Sequence, residues 1–312
     1  MLRYESSADA MGSTYSVVLY DEDRNKMQTA ADHALEEARR LDNLLSNYKP
    51  ESEWSKVNRE ASAHPVRISN ELFDLLAACM EYSRKSEGAF DISVGPLMKI
   101  WGFYKGTGHM PKPGEIDAAR RSIGYRHIVL DRAAHTVYFD QPGFNIDPGG
   151  IGKGYAVDRM VDILRSAGIR NALISAAGSS IYCLGQPPGE SGWRIQIEDP
   201  KDEGRPSVVG ERARGRATEA VLKNESISTS GSSEKFFVAD GKVWSHIMDP
   251  RTGYPARGVL SVSVIAPRTL DTEAWTKPYF VNGRKWTEAH KPSSFRVFYC
   301  EDKAEQPCAW LQ

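Results

Sequence analysis

The sequence has no stretch approaching the ~18 consecutive apolar residues of a membrane helix, and so offers no membrane span. It has no excess of one charge either: 40 basic residues face 41 acidic ones, a net charge of -1 with histidines neutral. Non-specific nucleic-acid binding needs a one-signed basic footprint, so composition points away from nucleic acid as a partner. Cysteine is scarce. Cys79, Cys183, Cys300 and Cys308 form no C-x-x-C pair, which argues against the common zinc frameworks. Cys79 lies in an apolar helical stretch and is expected in the core. Cys300 and Cys308 are near enough for a disulfide, but two free thiols fit the spacing equally well. The opening stretch "MLRYESSADAMGSTYSVVLY" has no apolar core of the signal type. H-E-x-x-H, G-x-S-x-G and EF-hand strings are all missing, which removes the zincin, α/β-hydrolase and calcium-loop classes. No internal repeat occurs.

What is present suits a soluble globular protein, with 40% hydrophobic and 26% charged residues. The 312 residues are ample for a core without staples. "TYSVVLYDED" (14–23) has the alternation of a strand. Met27, Ala30, Ala34, Ala38, Leu41 and Leu45 recur at helical steps, and a second helix is expected from Ser69 or Asn70, burying Leu72, Leu75, Leu76, Cys79 and Met80. The aromatic, glycine-rich 90–115 stretch is expected to be irregular, a lid or a pocket wall. Residues 127–140 suggest a hairpin; 171–185, 193–200, 259–267 and 295–299 suggest strands, and 271–280 a short helix. The polar 201–215 stretch is expected as a surface loop. Strand pairs outnumber strand–helix–strand units, so the expected class is α+β.

Residues 149–154, "GGIGKG", place four glycines and a lysine in six positions, just ahead of a helix with Ala156, Met160, Ile163 and Leu164 on one face. Free amides at a helix start attract anions, glycine lets a ligand approach the backbone, and Lys153 adds a charge. The stretch is neither a Walker A loop nor a Rossmann fingerprint, because its glycine spacing matches neither. By itself it supports an anion loop and a plain glycine-rich helix entry alike. "SISTSGSSEKFF" (226–237) offers hydroxyls and bare amides, and "SHIMDPRTGYP" (245–255) offers His246, Asp249 and Thr252 in a turn-dense setting; each alone is as well explained by turn formation.

Together these stretches resemble one family. "MGSTYS", "LSNYKPESEWSKVN" (45–58), "GAFDISVGPL" (88–97), "DPGGIGKGYAVD" (147–158), "STSGSSEKFF" (228–237) and "HIMDPRTGYP" (246–255) are similar, in order and spacing, to the ApbE family of FAD:protein FMN transferases. The resemblance runs from about residue 11 to residue 283, and a single domain over 11–300 is expected. It implies a compact α+β fold of antiparallel sheets flanked by helices. It also implies cleavage of the FAD pyrophosphate with Mg²⁺, release of AMP, and a phosphoester joining FMN to a Thr or Ser of a partner. Such partners are flavin-accepting subunits of membrane redox complexes, which implies a periplasmic or extracytoplasmic site of action. FAD pyrophosphatase activity and non-catalytic flavin binding are the alternatives.

By this resemblance Tyr48 stacks on the flavin. Asp147, Gly149, Gly150, Lys153, Gly154 and Asp158 lie near the pyrophosphate. Thr229, Ser230 and Gly231 form a turn beside the cofactor. His246, Ile247, Asp249 and Thr252 line the site, with His246 the expected base and Lys153 the expected catalytic charge. Two departures stand out. Gly178 is followed by Ser179 where the family often has a second glycine, near the adenosine half. The family's metal pattern is Asp, three residues, Thr. Here Asp271 has Thr276 five later, whereas counting back from Gly283 puts Glu273 and Lys277 at those positions. Asp271, Glu273 and Thr276 are the metal candidates, with Asp271 slightly preferred over a lysine substitution.

Overall fold

The computed structural model describes residues 1–104, 108–198, 200, 216–302 and 307–312. The expected loop at 201–215 lies outside the described residues. The chain opens with a hairpin of β1 (Leu2–Ala10) and β2 (Ser13–Asp21), turned through Met11 and Gly12, both at positive φ. α1 (Arg24–Leu45) is capped by Asp23, whose carboxylate accepts the Lys26 N–H, and it buries Met27, Ala30, Ala34, Ala38, Leu41 and Leu45 as the periodicity requires. α2 (Glu53–Glu60) and α3 (Asn70–Lys85) are capped by Ser52 and Ser69. β3 (Val66–Arg67) stands between them in sequence and pairs with the later hairpin of β4 (Ile128–Asp131) and β5 (Thr136–Phe139). The stretch expected to be irregular holds α4 (Gly95–Ile100) and the start of α5 (Pro113–Arg121), each with a proline in its first turn.

The remaining elements are α6 (Gly152–Ser166), β6 (Asn171–Ala176), β7 (Ser180–Leu184), β8 (Trp193–Glu198), β9 (Arg216–Leu222) and β10 (Glu225–Gly231). They are followed by β11 (Phe236–Ala239), β12 (Lys242–Ser245), β13 (Met248–Asp249), β14 (Tyr254–Pro255) and β15 (Val259–Ala266). The chain ends with α7 (Thr269–Asn282), α8 (Arg284–His290), β16 (Arg296–Glu301) and β17 (Cys308–Trp310).

Eight strands form one antiparallel sheet in the order β1-β2-β6-β7-β10-β15-β16-β17. α1, α6 and α7 lie side by side on one face. On the other face the β8–β9 ribbon seals Trp193, Ile197 and Leu222 against Ile227, Ile265 and Phe298. This is the α+β architecture expected, with antiparallel sheet and flanking helices. The 171–185 run is two strands, folded back at Ala177 and Gly178, both at positive φ. Cys300 and Cys308 face each other across β16 and β17 and form a disulfide, which decides between the two readings of that pair. Cys79 is buried and unpaired, as expected.

Candidate active site

The loop that leads into α6 is clamped before it reaches the site. Asn58 accepts the Ile146 N–H (2.8 Å) and donates back to the Ile146 carbonyl (2.9 Å), which the Trp54 indole N–H also reaches (3.0 Å). The next amide, of Asp147, donates to the Ile92 carbonyl at 2.6 Å. The Asp147 carboxylate is then fixed by three donors: the Gly149 N–H (2.7 Å), Asn47 Nδ2 (3.1 Å) and the Tyr104 hydroxyl (2.6 Å). Burial and the Asp147 charge push the Tyr104 phenol well above its ordinary range, so Tyr104 stays a neutral donor.

None of Gly149, Gly150, Gly152 and Gly154 sits at positive φ. Gly149 and Gly150 border a pocket of about 150 Å³. Gly154 serves another purpose. A Cβ there would stand 2.5 Å from the Thr269 carbonyl oxygen on α7, and its N–H donates to Glu273 Oε2. The anion on this amide is therefore the protein's own carboxylate, and Gly154 leaves the expected phosphate set. Asp158 leaves it too: its two oxygens accept the Thr269 N–H (2.7 Å) and the Leu270 N–H (2.9 Å), capping α7.

Around the pocket the structure gathers Asp147, Gly149, Gly150, Ser230, His246 and Ile247 from the expected residues, and adds Lys277. Ala89, Phe90, Ile92, Val94 and Met98 form an apolar wall, with Asp91 and Tyr104 as polar members of the same lining, the wall role anticipated for part of the 90–115 stretch. Tyr48 is 84% exposed and directly follows Asn47, whose side chain holds the Asp147 carboxylate. Lys153 donates to Ser179 Oγ at 2.5 Å, joining the α6 entry to the β6–β7 turn that carries Gly178.

Other expected residues are engaged elsewhere. Thr229 points to the opposite sheet face and shares a hydrogen bond with Ser263 (2.8 Å), because neighbours on a strand alternate sides. Gly231 ends β10. Asp249 accepts the Arg251 N–H (3.0 Å) and its guanidinium (2.9 Å), while the Thr252 hydroxyl reaches the Asp249 carbonyl (3.4 Å). Both shape the β13–β14 turn, the alternative their composition had left open. Sequence reasoning assigned nothing to Tyr104, Met98 and Asn47; their only signal was membership of the quoted or aromatic-rich strings.

His246 is the titratable centre. Its Nδ1 lies 3.3 Å from the Lys235 carbonyl oxygen, an acceptor, which assigns the proton to Nδ1 and leaves the Nε2 lone pair free. Nε2 is 3.9 Å from Glu234 Oε2, a carboxylate placed to favour the imidazolium once Nε2 gains a proton. Burial lowers the pKa from 6.5 to about 4, assisted by the positive charges of Lys235, Lys277 and Lys153. At neutral pH it is an uncharged base in a basic pocket.

The metal candidates do not converge. The Asp271 carboxylate accepts the Tyr82 hydroxyl at 2.5 Å. The Glu273 carboxylate faces Gly154. The Thr276 hydroxyl lies between Ser230 Oγ and the Glu273 carbonyl, 2.8 Å from each. Three donors aimed three ways do not make the compact oxygen set that Mg²⁺ requires, and no group of three or more His, Cys, Asp or Glu suited to a metal occurs among the described residues. Asp271 is accordingly not a pocket residue. Glu273 and Lys277 do not pair through the carboxylate either: Lys277 Nζ donates to the Glu273 backbone carbonyl (2.8 Å).

A neutral histidine, two lysines and a glycine-lined approach beside an apolar wall define a site for a phosphate-bearing ligand with an aromatic or apolar body. The ApbE family model matches residues 11–295, and the chain belongs to that family. The FAD:protein FMN transferase of Klebsiella pneumoniae is 33% identical over 281 residues, 89% of this chain and 82% of that protein. That of Haemophilus influenzae is 30% identical over 303 residues, covering 94% and 84%. Among solved structures, the ApbE protein of Thermotoga maritima superposes with a TM-score of 0.83 at 30% identity, covering 96% of this chain and 94% of that one. The flavinyl transferase ApbE of Pseudomonas stutzeri gives 0.84 at 26%, covering 99% and 94%.

Proposed function

We propose that this chain is an FAD:protein FMN transferase. The observation that carries the reading is the pocket in which neutral His246 stands beside Lys277 and the Gly149–Gly150 backbone, with Lys153 next to it. The Nε2 lone pair of His246 takes the proton of an acceptor Thr or Ser hydroxyl. The freed oxygen forms a bond to the FMN phosphorus, the pyrophosphate P–O bond breaks, and AMP leaves with its electron pair. Such a transfer is mostly positioning and charge neutralisation, and Lys153 supplies part of the charge. Tyr48 offers a face to the isoalloxazine ring. Mg²⁺, expected from the resemblance, does not fit the donor set, and no step here uses it.

The acceptor in this proposal is a flavin-carrying subunit of a membrane redox complex, met on the extracytoplasmic side. The Cys300–Cys308 disulfide supports an oxidising compartment. Incubation with FAD and a candidate acceptor, followed by intact mass, tests the reaction. An FMN adduct is the expected result. Free FMN and AMP without an adduct would make the chain a pyrophosphatase, and unchanged bound FAD would make it a carrier. His246→Ala is expected to retain FAD and to slow single-turnover transfer by ~10²-fold or more; an unchanged rate would reduce His246 to a wall residue.

A further inference from the structure

We infer that Lys277 is the built-in cation of this site: its ammonium stands beside the ligand's pyrophosphate where a divalent metal would otherwise neutralise charge, so FAD is held without a metal. The inference rests on the flavin reading of the pocket and deepens it.

Lys277 is a pocket residue on α7, with its Nζ between two backbone carbonyl oxygens, Glu273 O at 2.8 Å and Gly150 O at 3.5 Å. Its Cε passes 3.8 Å from the point where a Cβ on Gly150 would be, so the stem lies along the glycine loop. Carbonyl oxygens facing inward are what a cation site is made of, and here they already hold an ammonium. A protonated lysine cannot ligate Mg²⁺ and repels it. The side-chain oxygens of α7 that would compete for a metal are spent on Tyr82, Gly154, Ser230 and the helix backbone. Burial, with the Lys153 charge adding to it, lowers the Lys277 pKa below the ordinary lysine value, and the charges of Glu273 and Glu234 act against that shift to favour the ammonium. Lys277 and the neighbouring Lys153 bring two ammonium groups to the glycine loop, and a pyrophosphate dianion matches their charge.

FAD retention by equilibrium dialysis, with EDTA and with Mg²⁺, tests this on the intact chain. Retention by the unmodified protein is expected to agree within about twofold between the two conditions, since charge neutralisation is internal. Lys277→Met, which keeps the length and removes the charge, is expected to weaken retention ~10-fold or more, and Lys277→Arg to restore most of it. Thermal unfolding of each variant shows that it is folded. Retention that depends on Mg²⁺ in the unmodified protein, or unchanged retention in Lys277→Met, overturns the inference while leaving the flavin site intact. Retention in neither condition overturns the flavin reading itself. Should Lys277→Met not fold, the ³¹P signals of FAD bound to the unmodified protein decide: added Mn²⁺ is expected to leave them sharp, and broadening would place a metal at the pyrophosphate.

Discussion

Replacing Gly154 with alanine is expected to destabilise the protein by about 2–4 kcal/mol, whereas the same change at Gly152 should be neutral or mildly stabilising. At Gly154 the added Cβ would meet the Thr269 carbonyl oxygen at 2.5 Å and Glu273 Oε2 at 2.9 Å. To reach an ordinary contact distance, α6 and α7 must part by roughly 1 Å. Overpacking of that kind costs about 1–3 kcal/mol, and the separation stretches a charge-assisted bond from the Gly154 N–H worth about 1.5–3 kcal/mol. The gain from alanine in a helix, about 0.5–1 kcal/mol, offsets part of this. At Gly152 the nearest atom to a new Cβ is Met11 Sδ at 3.6 Å, an ordinary contact. At Gly150 it is Phe90 Cε2 at 3.4 Å, with Lys277 Cε at 3.8 Å, so the methyl would enter the pocket. Gly150→Ala should therefore weaken FAD retention with little effect on stability. Thermal unfolding of the ligand-free proteins reads the series, with roughly 3–6 °C lost at Gly154, using the usual unfolding entropy per residue. Equal midpoints for Gly154→Ala and Gly152→Ala would refute the claim that helix approach is what demands glycine here.

His246 makes stability pH-dependent with a definite sign. Its folded pKa is depressed to about 4 from 6.5, so between these values the unfolded chain binds more protons, and stability is lost as pH falls from 6.5 towards 4. His246→Gln should lack that component in urea titrations, and parallel pH curves for the two proteins would disprove it. Tyr48→Ala should leave the unfolding midpoint unchanged, since the ring is exposed, while weakening FAD retention by about 1 kcal/mol through lost stacking; a shifted midpoint would show a structural role instead. Asp158→Ala should cost about 2 kcal/mol by uncapping α7, visible as a lowered thermal midpoint, and an unchanged midpoint would argue that the cap is dispensable.

Elements that bury one clean face were the most legible in the sequence, and several that do not were missed. α1 and α3 carry apolar residues at helical steps behind good caps. β1 was not foreseen because it is an edge strand that buries only Ala8 and Ala10, so most of its nine residues carry no pattern. α2 has eight residues, too few for periodicity to register beyond Trp54 and Val57. β10 misled in the other direction. "ESISTSG" has the composition of a polar turn, yet it is a central strand, because its hydroxyls are satisfied from α7. Ser226 and Ser228 share hydrogen bonds with Thr272 Oγ1, and Ser230 donates to Thr276. A polar seam of this kind is affordable only when every hydroxyl has a partner, and that partner is 44–46 residues away.

The same long-range dependence explains why the site was half legible. "DPGGIGKGYAVD" looks like one binding string, but its residues divide by distance from the helix start. Gly150 faces the pocket, while Gly154 and Asp158, four apart, share the face of α6 turned to α7. Their partners on α7 descend in matching steps: Asp158 holds the amides of Thr269 and Leu270, Gly154 meets Glu273, and Gly150 meets Lys277. The two helices thus run antiparallel with one contact per turn, and the last rung opens into the pocket. A glycine at the middle rung lets the helices approach, and a carboxylate there fills the α6 N-terminus that would otherwise have been free for a ligand phosphate. With that amide occupied, the positive charge for a ligand comes from side chains, and the rung that reaches the pocket carries a lysine. Lys277 is therefore placed by the packing that also seats α7, which is why counting back from Gly283 located it and counting forward from Asp271 did not.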